Sequence, residues 1–380
     1  MSTVLVAHGA VRTGRRLLTD GWLLLRDGVV AALGEGPVPP GQQAAADEVV
    51  DARGAHVVPG FVDLHCHGGG GAQFGGTGAA AVSSARTVAA THRAHGTTTL
   101  VASLVSRPVA ELRETVTALA DLVGDGVLAG VHLEGPWLSP AHRGAHDPAL
   151  LGDPAAADVE DLLSVAGGVV RVVTIAPELP GGLDAVRRTA GSGAIAAIGH
   201  TDADAALARA AVDAGARLAT HLFNAMPPVH HRAPGPVVAL LEDQRVVVEL
   251  IADGVHLHAL TVAHAARSAG PRRTALVTDA MAAAGSADGD YLLGDLRVEV
   301  RDGTARLADG GSIAGSTLTL DRALAFAVHA AGVDLDAALA AVTTVPAALL
   351  GRADRGHLEP GATGGAVLLD ERLDLVRVLA

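Results

Sequence analysis

Two histidines, His65 and His67, stand at the end of an apolar run and directly before four glycines at 68–71. The run at residues 57–64 has the composition of a short, fully buried strand. Because side chains two residues apart in a strand point the same way, both imidazoles should face one point. Converging imidazoles suit a divalent metal ion. The alternative is a pair of histidines packed in a loop, and this motif alone does not separate the two interpretations.

Polar side chains also follow four later apolar runs. Each alone has an ordinary explanation, since a histidine after a strand is often a loop residue and an aspartate is often a helix N-cap. Together with His65 and His67, they form a set of imidazoles and carboxylates that suits Zn²⁺ or another first-row ion. An aspartate beside such an ion can act as a general base in hydrolysis. The four residues are Glu134, His200, His221 and Asp279.

Eight apolar runs alternate with amphipathic segments in the middle of the chain. This alternation predicts a parallel sheet with crossover helices, and eight repeats over roughly 250 residues fit a closed (β/α)₈ TIM-like barrel. The active sites of such barrels lie at the carboxyl ends of the strands, so the barrel would bring the six residues together. The runs are 57–64, 98–102, 128–133, 169–175, 194–198, 217–220, 246–251 and 274–278.

Short strand-like segments separated by Gly, Pro and Asp occur near both ends of the chain. We therefore expect an α/β protein in which segments 1–58 and 355–380 form one small, discontinuous β-sandwich domain. The catalytic (β/α)₈ barrel would occupy residues 59–354. A hairpin-like interruption is expected at 288–311, after the eighth run.

Composition excludes several classes of function. The chain of 380 residues carries a net charge of −13 and has no basic stripe, which argues against nucleic acid or an anionic membrane as a partner. All 28 basic residues are arginine, so Schiff-base and P-loop chemistry that needs lysine is excluded. The single cysteine excludes an internal disulfide. Without a signal-peptide pattern or an 18-residue apolar run, we expect a cytoplasmic protein.

The motifs that carry these residues resemble the metal-dependent amidohydrolase superfamily. The first is Pro-Gly-Phe-Val-Asp-Leu-His-Cys-His at 59–67, with strand-like segments at both chain ends. Finer motifs resemble the branch whose members deacetylate amino-sugar phosphates. They are His-Leu-Glu-Gly-Pro-Trp at 132–137, Arg-Gly-Ala-His at 143–146, Gly-His-Thr at 199–201, Thr-His-Leu-Phe-Asn-Ala-Met-Pro at 220–227, Ala-Asp-Gly-Val-His at 252–256, Val-Thr-Asp-Ala at 277–280 and Ala-Gly-Ser-Thr-Leu at 314–318.

The resemblance implies a role for each metal-site residue. Glu134, His200 and His221 would hold the primary ion, foremost Zn²⁺, with Fe²⁺, Mn²⁺ or Co²⁺ as alternatives. His65 and His67 match the positions that hold a second ion in some members, and Glu134 would then bridge the two ions. The number of ions, one or two per subunit, is left open. Asp279 would act first as general base and then as the acid that protonates the leaving amine.

The resemblance also implies a substrate, N-acetyl-D-glucosamine 6-phosphate, with D-glucosamine 6-phosphate and acetate as products of amino-sugar catabolism or cell-wall recycling. Arg232 would pair with the phosphate, because a guanidinium binds such groups bidentately. It would act in its own subunit or across the interface of a homodimer. His230 and His231, beside it, depart from the family pattern. The other expected substrate contacts are Ala145, His146, Asn224, Ala225, His256, Gly315, Ser316 and Thr317.

Two other functions remain open from the sequence. The first is a different amide hydrolase or a deaminase of the same superfamily, which would be recognised by its product. The second is a barrel without catalysis that serves as a scaffold or sensor. The second interpretation is disfavoured because every expected ligand position and the general-base position are filled.

Overall fold

Both ends of the chain contribute to one seven-stranded sheet. The computed structural model describes residues 2–309 and 311–379. The N-terminal part of the chain forms the strands β1 (Thr3–Arg12), β2 (Leu17–Arg26), β3 (Val29–Glu35), β4 (Glu48–Asp51) and β5 (His56–Pro59), with the helix α1 (Pro40–Ala44) between β3 and β4. The C-terminal strands are β19 (Ala366–Leu369) and β20 (Leu375–Leu379). Strands of this sheet follow the order β20-β19-β5-β1-β2-β3, and β4 pairs with β1. The domain boundaries and the sandwich description stay predictions.

The central part of the chain forms an eight-stranded parallel sheet, in agreement with the expected (β/α)₈ barrel. The elements of this part are β6 (Phe61–Cys66), β7 (Gly68–Gly69), β8 (Ala72–Gln73), α2 (Gly78–Ala94), β9 (Thr97–Leu104), α3 (Val109–Gly124), β10 (Gly130–Glu134), α4 (Ala156–Ser164), β11 (Val170–Ile175), α5 (Gly182–Gly191), β12 (Ile195–Ile198), α6 (Ala205–Asp213), β13 (Leu218–Ala219), α7 (Gly235–Glu242), β14 (Val247–Leu250), α8 (Ala259–Ala269) and β15 (Thr274–Leu276). The strands of the parallel sheet follow the order β6-β9-β10-β11-β12-β13-β14-β15.

The first apolar run is divided between the two sheets, which corrects the expectation of a single strand over residues 57–64. Residues on one side of Gly60 form β5 in the small sheet, and those on the other side form β6 in the barrel. A side chain at Gly60 would place its Cβ 2.1 Å from Thr98 Oγ1 and 2.5 Å from the carbonyl oxygen of Gly364. The chain therefore crosses between the two sheets at a position where only glycine fits.

Polar contacts join the first barrel strand to the segment that follows the eighth. The backbone N–H of Asp279 donates to the carbonyl oxygen of His65 at 2.8 Å. The buried Asp63 accepts from the Thr278 hydroxyl at 2.6 Å and from the N–H of His65 at 3.2 Å. The bonds from Asp279 and Thr278 link β6 to the segment just after β15 and fix the backbone that carries His65 and Asp279.

An inserted three-stranded antiparallel sheet stands beside the mouth of the barrel, where the sequence predicts a hairpin. Gln73 ties it to the loop after β6, since its amide exchanges two hydrogen bonds with the backbone of Gly294 at 2.9 and 3.1 Å. The remaining elements are β16 (Gly289–Leu293), β17 (Leu296–Arg301), β18 (Thr304–Leu307), α9 (Leu320–His329), α10 (Leu335–Val342) and α11 (Thr344–Leu349). Within the described ranges, no helix has the length and apolar character needed to cross a membrane.

Candidate metal centre

The six expected site residues lie at or just beyond the carboxyl ends of five barrel strands, and all six are buried. Glu134 is the last residue of β10, and His65 lies in β6 with His67 just after it. His200, His221 and Asp279 follow β12, β13 and β15 within three residues. The structure therefore brings together all six side chains that the sequence pattern indicates.

Glu134, His200 and His221 form the first cluster. Glu134 Oε1 lies 2.9 Å from His221 Nε2 and 3.2 Å from His200 Nε2, and the two Nε2 atoms are 3.0 Å apart. Zn–N bonds of about 2.0–2.1 Å in a tetrahedral site would separate two ligand atoms by roughly 3.3 Å. The three donor atoms are thus spaced as ligands of one ion would be.

His65, His67 and Asp279 form a second cluster on the other side of Glu134. The Nε2 atoms of the two histidines are 3.0 Å apart, and Asp279 Oδ1 lies 3.4 Å from that of His65 and 3.3 Å from that of His67. Glu134 Oε2 lies 3.0 Å from His67 Nε2. One carboxylate therefore contacts both clusters, which is the arrangement a bridging ligand needs.

Bonds behind the imidazoles fix which nitrogen carries the proton. His67 Nδ1 lies 3.1 Å from the carbonyl oxygen of Ser103, and His200 Nδ1 lies 2.9 Å from that of His142. His65 Nδ1 lies 3.2 Å from Glu249 Oε2. Since these oxygens accept, each Nδ1 must donate its N–H, which leaves each Nε2 to face the site and to offer a lone pair there when the ring is neutral.

The backbone of the site is strained at three of these positions. His200, His221 and Asp279 have φ values of +47°, +26° and +48°, in the left-handed region that residues other than glycine rarely adopt. Such conformations cost about 1–3 kcal/mol each and tend to cluster at functional sites. The turns after the strands thus hold these side chains in positions that an unstrained loop would not give.

The electrostatics of the site favour added positive charge. Burial alone would lower the pKa values of His65 and His67, but Glu134 and Asp279 outweigh it, so that the pKa of His67 rises to about 9 and that of His65 lies well above its usual range. Burial would raise the pKa values of both carboxyl groups, yet the neighbouring imidazoles hold them below their ordinary range. His200 differs, since burial lowers its pKa to about 4.

The donor set fits a divalent cation. Buried carboxylates and imidazole lone pairs face one another at about 3 Å, and this contact is repulsive unless protons or a cation lie between them. The mixture of nitrogen and oxygen ligands suits Zn²⁺ and its first-row neighbours and does not distinguish among them. Glu134, His200 and His221 would hold one ion, and His65, His67 and Asp279 have the positions for another.

A pocket of about 170 Å³ opens above the two clusters. It is lined by His67, Val105, Glu134, Gly144, Ala145, His146, His200, His221, Asn224, Ala225, His256, Asp279, Leu293, Ile313 and Gly315. A larger groove of about 580 Å³ lies between α8 and α10, but its walls are mostly apolar and the clusters lie elsewhere. We therefore assign the chemistry to the smaller pocket.

His146 has the opposite tautomer to His65, His67 and His200. The backbone N–H of Ser106 donates to His146 Nδ1 at 3.3 Å, and the Ser106 hydroxyl lies 2.9 Å from the same nitrogen. Because Nδ1 accepts, Nε2 must carry the proton, and it lies 3.3 Å from Glu134 Oε2. His146 thus presents a hydrogen-bond donor to the pocket rather than a metal ligand.

Most of the expected substrate contacts line the pocket, but three do not. Ala145, Asn224, Ala225, His256 and Gly315 are among its walls.

Arg232 lies exposed outside the pocket, in a loop where its Nη1 donates to His231 Nε2 at 2.7 Å. Ser316 and Thr317 also lie outside the lining, because their hydroxyls donate to the carbonyl oxygens of Thr278 and Gly303 at 2.6 and 2.7 Å. Of the expected wall at 315–317, Gly315 is the residue that lines this pocket, and substrate contacts of Ser316 and Thr317 stay predictions.

The sequence reasoning assigned no role to four supporting residues. Asp253 accepts from His256 Nδ1 at 2.6 Å, and Ser106 fixes His146. Glu178 accepts from the Thr201 hydroxyl, next to His200, at 2.5 Å. Glu249 could have been found, because a glutamate inside the apolar run 246–251 is a signal in its own right.

Cys66, between the two histidines, points away from the site as expected. Its sulfur lies 3.2 Å from Nε2 of the buried His92.

Comparisons with known proteins agree with this geometry. The family described as "Amidohydrolase family" matches residues 56–378. N-acetylglucosamine-6-phosphate deacetylase from Bos taurus is 37% identical over 346 residues, which cover 87% of this chain and 84% of that protein. N-acetylgalactosamine-6-phosphate deacetylase from Escherichia coli O157:H7 is 34% identical over 380 residues, which cover 97% of each.

Solved structures of similar fold also include amino-sugar-phosphate deacetylases. A mutant N-acetyl-D-glucosamine-6-phosphate deacetylase from Mycobacterium smegmatis, in complex with N-acetyl-D-glucosamine-6-phosphate, superposes with a TM-score of 0.93 at 45% identity. The match covers 100% of this chain and 98% of that one. The N-acetylglucosamine-6-phosphate deacetylase from Pasteurella multocida superposes with a TM-score of 0.91 at 25% identity, covering 99% and 98%.

Proposed function

This chain belongs to the amidohydrolase family, and on that premise we propose that it deacetylates N-acetyl-D-glucosamine 6-phosphate, giving D-glucosamine 6-phosphate and acetate. The observation that carries the proposal is the convergence of four imidazoles and two carboxylates under a pocket at the mouth of the barrel. Relatives and solved structures that span nearly the whole chain bear the name of this activity.

A divalent ion, which we take to be Zn²⁺, would supply Lewis acidity to the amide carbonyl and to the attacking water when bound. Glu134, His200 and His221 are proposed to hold the primary ion. His65 and His67 are proposed to hold a second ion, with Glu134 shared between the two clusters. The distances of about 3 Å among the donor atoms support both assignments.

Asp279 is proposed as the general base. Charged imidazoles of His65 and His67 hold the pKa of its carboxyl below the ordinary value despite burial, and a cation that takes the place of their protons would act in the same direction. The carboxylate can therefore accept a proton from the attacking water and return it to the departing nitrogen. Asp279 lines the pocket in which the water and the departing nitrogen would both lie.

His146 is proposed to orient the acetyl group. Its Nε2–H faces the pocket because Nδ1 is occupied by the backbone N–H of Ser106. A fixed N–H donor of this kind can bind the carbonyl oxygen and stabilise the charge that develops on it as water attacks.

The sugar phosphate is proposed to lie toward Asn224, Ala225 and His256. His256 Nδ1 is bound to Asp253, which leaves its Nε2 for the ligand. Arg232 lies outside the lining of its own pocket, so we propose that it reaches the phosphate bound by a neighbouring subunit of a homodimer. We further propose a cytoplasmic location and a small, discontinuous β-sandwich domain beside the barrel.

The decisive experiment is product analysis of the metal-loaded protein. Release of acetate from N-acetyl-D-glucosamine 6-phosphate is expected, and the galactosamine epimer should be compared because one relative bears that name. Preferential hydrolysis of the epimer would change the assigned substrate but not the assigned reaction. Release of ammonia from a nucleobase, or no hydrolysis of any acetamide, would overturn the proposal in favour of a deaminase or of a non-catalytic barrel.

A further inference from the structure

Glu249 is a buried charged residue in the wall of the barrel. It lies in β14 between apolar neighbours, and its side chain is fully buried. A carboxylate in such a place is costly unless it accepts hydrogen bonds or faces positive charge. The contacts of this carboxylate should therefore indicate its role.

A single oxygen of Glu249 joins the two metal-site clusters. Oε2 accepts from His65 Nδ1 at 3.2 Å and from the backbone N–H of His221 at 3.1 Å. His65 belongs to the second cluster, and His221 belongs to the first. Oε1 has no hydrogen-bond partner among the described residues.

Both bonds act on the geometry of the ligands. The bond to His65 keeps the proton on Nδ1 and aims the Nε2 lone pair at His67 and Glu134, as carboxylates behind metal-bound histidines do. The bond to His221 holds a backbone with φ of +26°, a conformation that its surroundings must enforce. The two effects converge on the relative placement of the two clusters.

We propose that Glu249 is a positioning residue that orients His65 as a ligand of the second ion. It also holds the His65 cluster at a fixed position relative to His221. This inference rests on the proposed metal-dependent deacetylation. It assigns to Glu249 no contact with the substrate, since the residue is absent from the pocket lining.

Two substitutions separate the charge of Glu249 from its hydrogen bonds. Glu249→Gln can keep both bonds, because one oxygen makes them both and the other has no described partner. Glu249→Leu removes the bonds and the charge at similar volume. Asp321→Asn is the matched control, since Asp321 is a buried carboxylate of α9 that accepts from His95 outside the pocket.

The measurement is titration of metal-free protein with Co²⁺, read by visible absorption and by the number of ions bound per chain, with unfolding in urea to verify folding. We expect two ions in the wild type, an affinity for the second ion that is weakened about 10- to 100-fold in Glu249→Leu, and a smaller loss in Glu249→Gln. The first ion and the Asp321→Asn control should be unaffected. With substrate, kcat should fall while KM stays within about twofold, because Glu249 does not line the pocket.

The inference is wrong if folded Glu249→Leu binds both ions as tightly as the wild type, or if the wild type binds a single ion. Failure of the proposed function gives a different result. A wild type that hydrolyses no acetamide, but loses its second ion on the Leu substitution, would overturn the deacetylase assignment and leave the role of Glu249 intact.

Discussion

Asp279 Oδ1 lies 3.3 Å from His67 Nε2, so the proposed general base touches a histidine of the second metal cluster. The contact explains why the pKa of this buried carboxyl stays below its ordinary value: burial would raise it, and the charges of His65 and His67 oppose burial and prevail. The base is therefore ionised while both imidazoles carry charge, and a cation bound in place of their protons would favour the same state. Its proximity to the ligands also means that its chemical role and its structural role must be separated by experiment.

Replacing Asp279 with asparagine should abolish turnover while the primary ion is retained. The amide has nearly the same shape but cannot accept the proton, so we expect kcat to fall by about 10²- to 10⁴-fold. Glu134, His200 and His221 are unchanged, so metal analysis of the purified variant should still find the first ion. A variant that keeps near-wild-type kcat would exclude Asp279 as the base.

Removing a ligand of the first cluster should remove the metal as well as the activity. His200→Ala or His221→Ala deletes an Nε2 atom that lies within 3.2 Å of Glu134 Oε1, so metal and turnover should be lost together. Chelation of the wild type should give the same inactive state, and added Zn²⁺ should restore activity to the wild type but not to the variants. His258→Ala, in the exposed N-cap of α8, is the control that should keep both. Full metal content in inactive His200→Ala would contradict the ligand assignment.

The residues at strand ends were predictable because each strand can be recognised from a short apolar run, and the runs repeat along the chain. Glu134, His200 and Asp279 each follow an apolar run, and a parallel barrel places all such positions at one mouth. That inference does not require knowing which strands pair with each other. The eight runs, the hairpin-like insertion and the small sheet from both ends could be read in the same way.

What could not be predicted depends on contacts between distant segments. Gly60 divides the first run because Thr98 and Gly364 approach it, and neither is visible from the local pattern. Ser316 turns its hydroxyl to the carbonyl oxygen of Thr278 rather than into the pocket, since the segment packs against the end of β15. Supporting residues such as Ser106 and Asp253 are recognised only when their partners, His146 and His256, are known.

Arg232→Ala tests the phosphate assignment. The guanidinium is exposed and lies outside its own pocket, so its removal should leave metal content and folding unchanged. Loss of a charge-assisted contact with phosphate should raise KM for the phosphorylated substrate at least about tenfold. Hydrolysis of unphosphorylated N-acetyl-D-glucosamine should be unaffected. Arg86→Ala, an exposed arginine of α2, is the matched control.

Mixing variants separates action within a subunit from action across a homodimer. If Arg232 serves the neighbouring site, a mixture of Arg232→Ala with inactive Asp279→Asn should contain hybrid dimers with one site that has both residues. Such a mixture should recover tight-binding activity that neither parent shows. Equal KM values for Arg232→Ala and the wild type would remove Arg232 from the substrate site altogether.

Asp243 offers a pH-dependent contribution to stability far from the chemistry. Its carboxylate receives hydrogen bonds from Arg245 Nε and Nη2 at 2.9 and 2.6 Å, and this pairing lowers its pKa to about 2. A folded-state pKa below the unfolded value gives stability that is present above about pH 4 and lost as pH falls through about 2. Since the Arg245 side chain is 46% exposed, solvent screening reduces the expected contribution to about 1 kcal/mol.

Asp243→Asn should therefore lower the free energy of unfolding by about 1 kcal/mol at pH 7, and the difference from the wild type should shrink steadily between pH 4 and pH 2. Urea unfolding of both proteins across that range measures it, with Asp309→Asn, at an exposed carboxylate, as the control variant. The Asn variant still accepts the backbone N–H of Arg245 through its amide oxygen, so the loss reports the charge pair rather than the turn. A difference that is constant with pH would mean that packing, and not the ionised carboxylate, accounts for the effect.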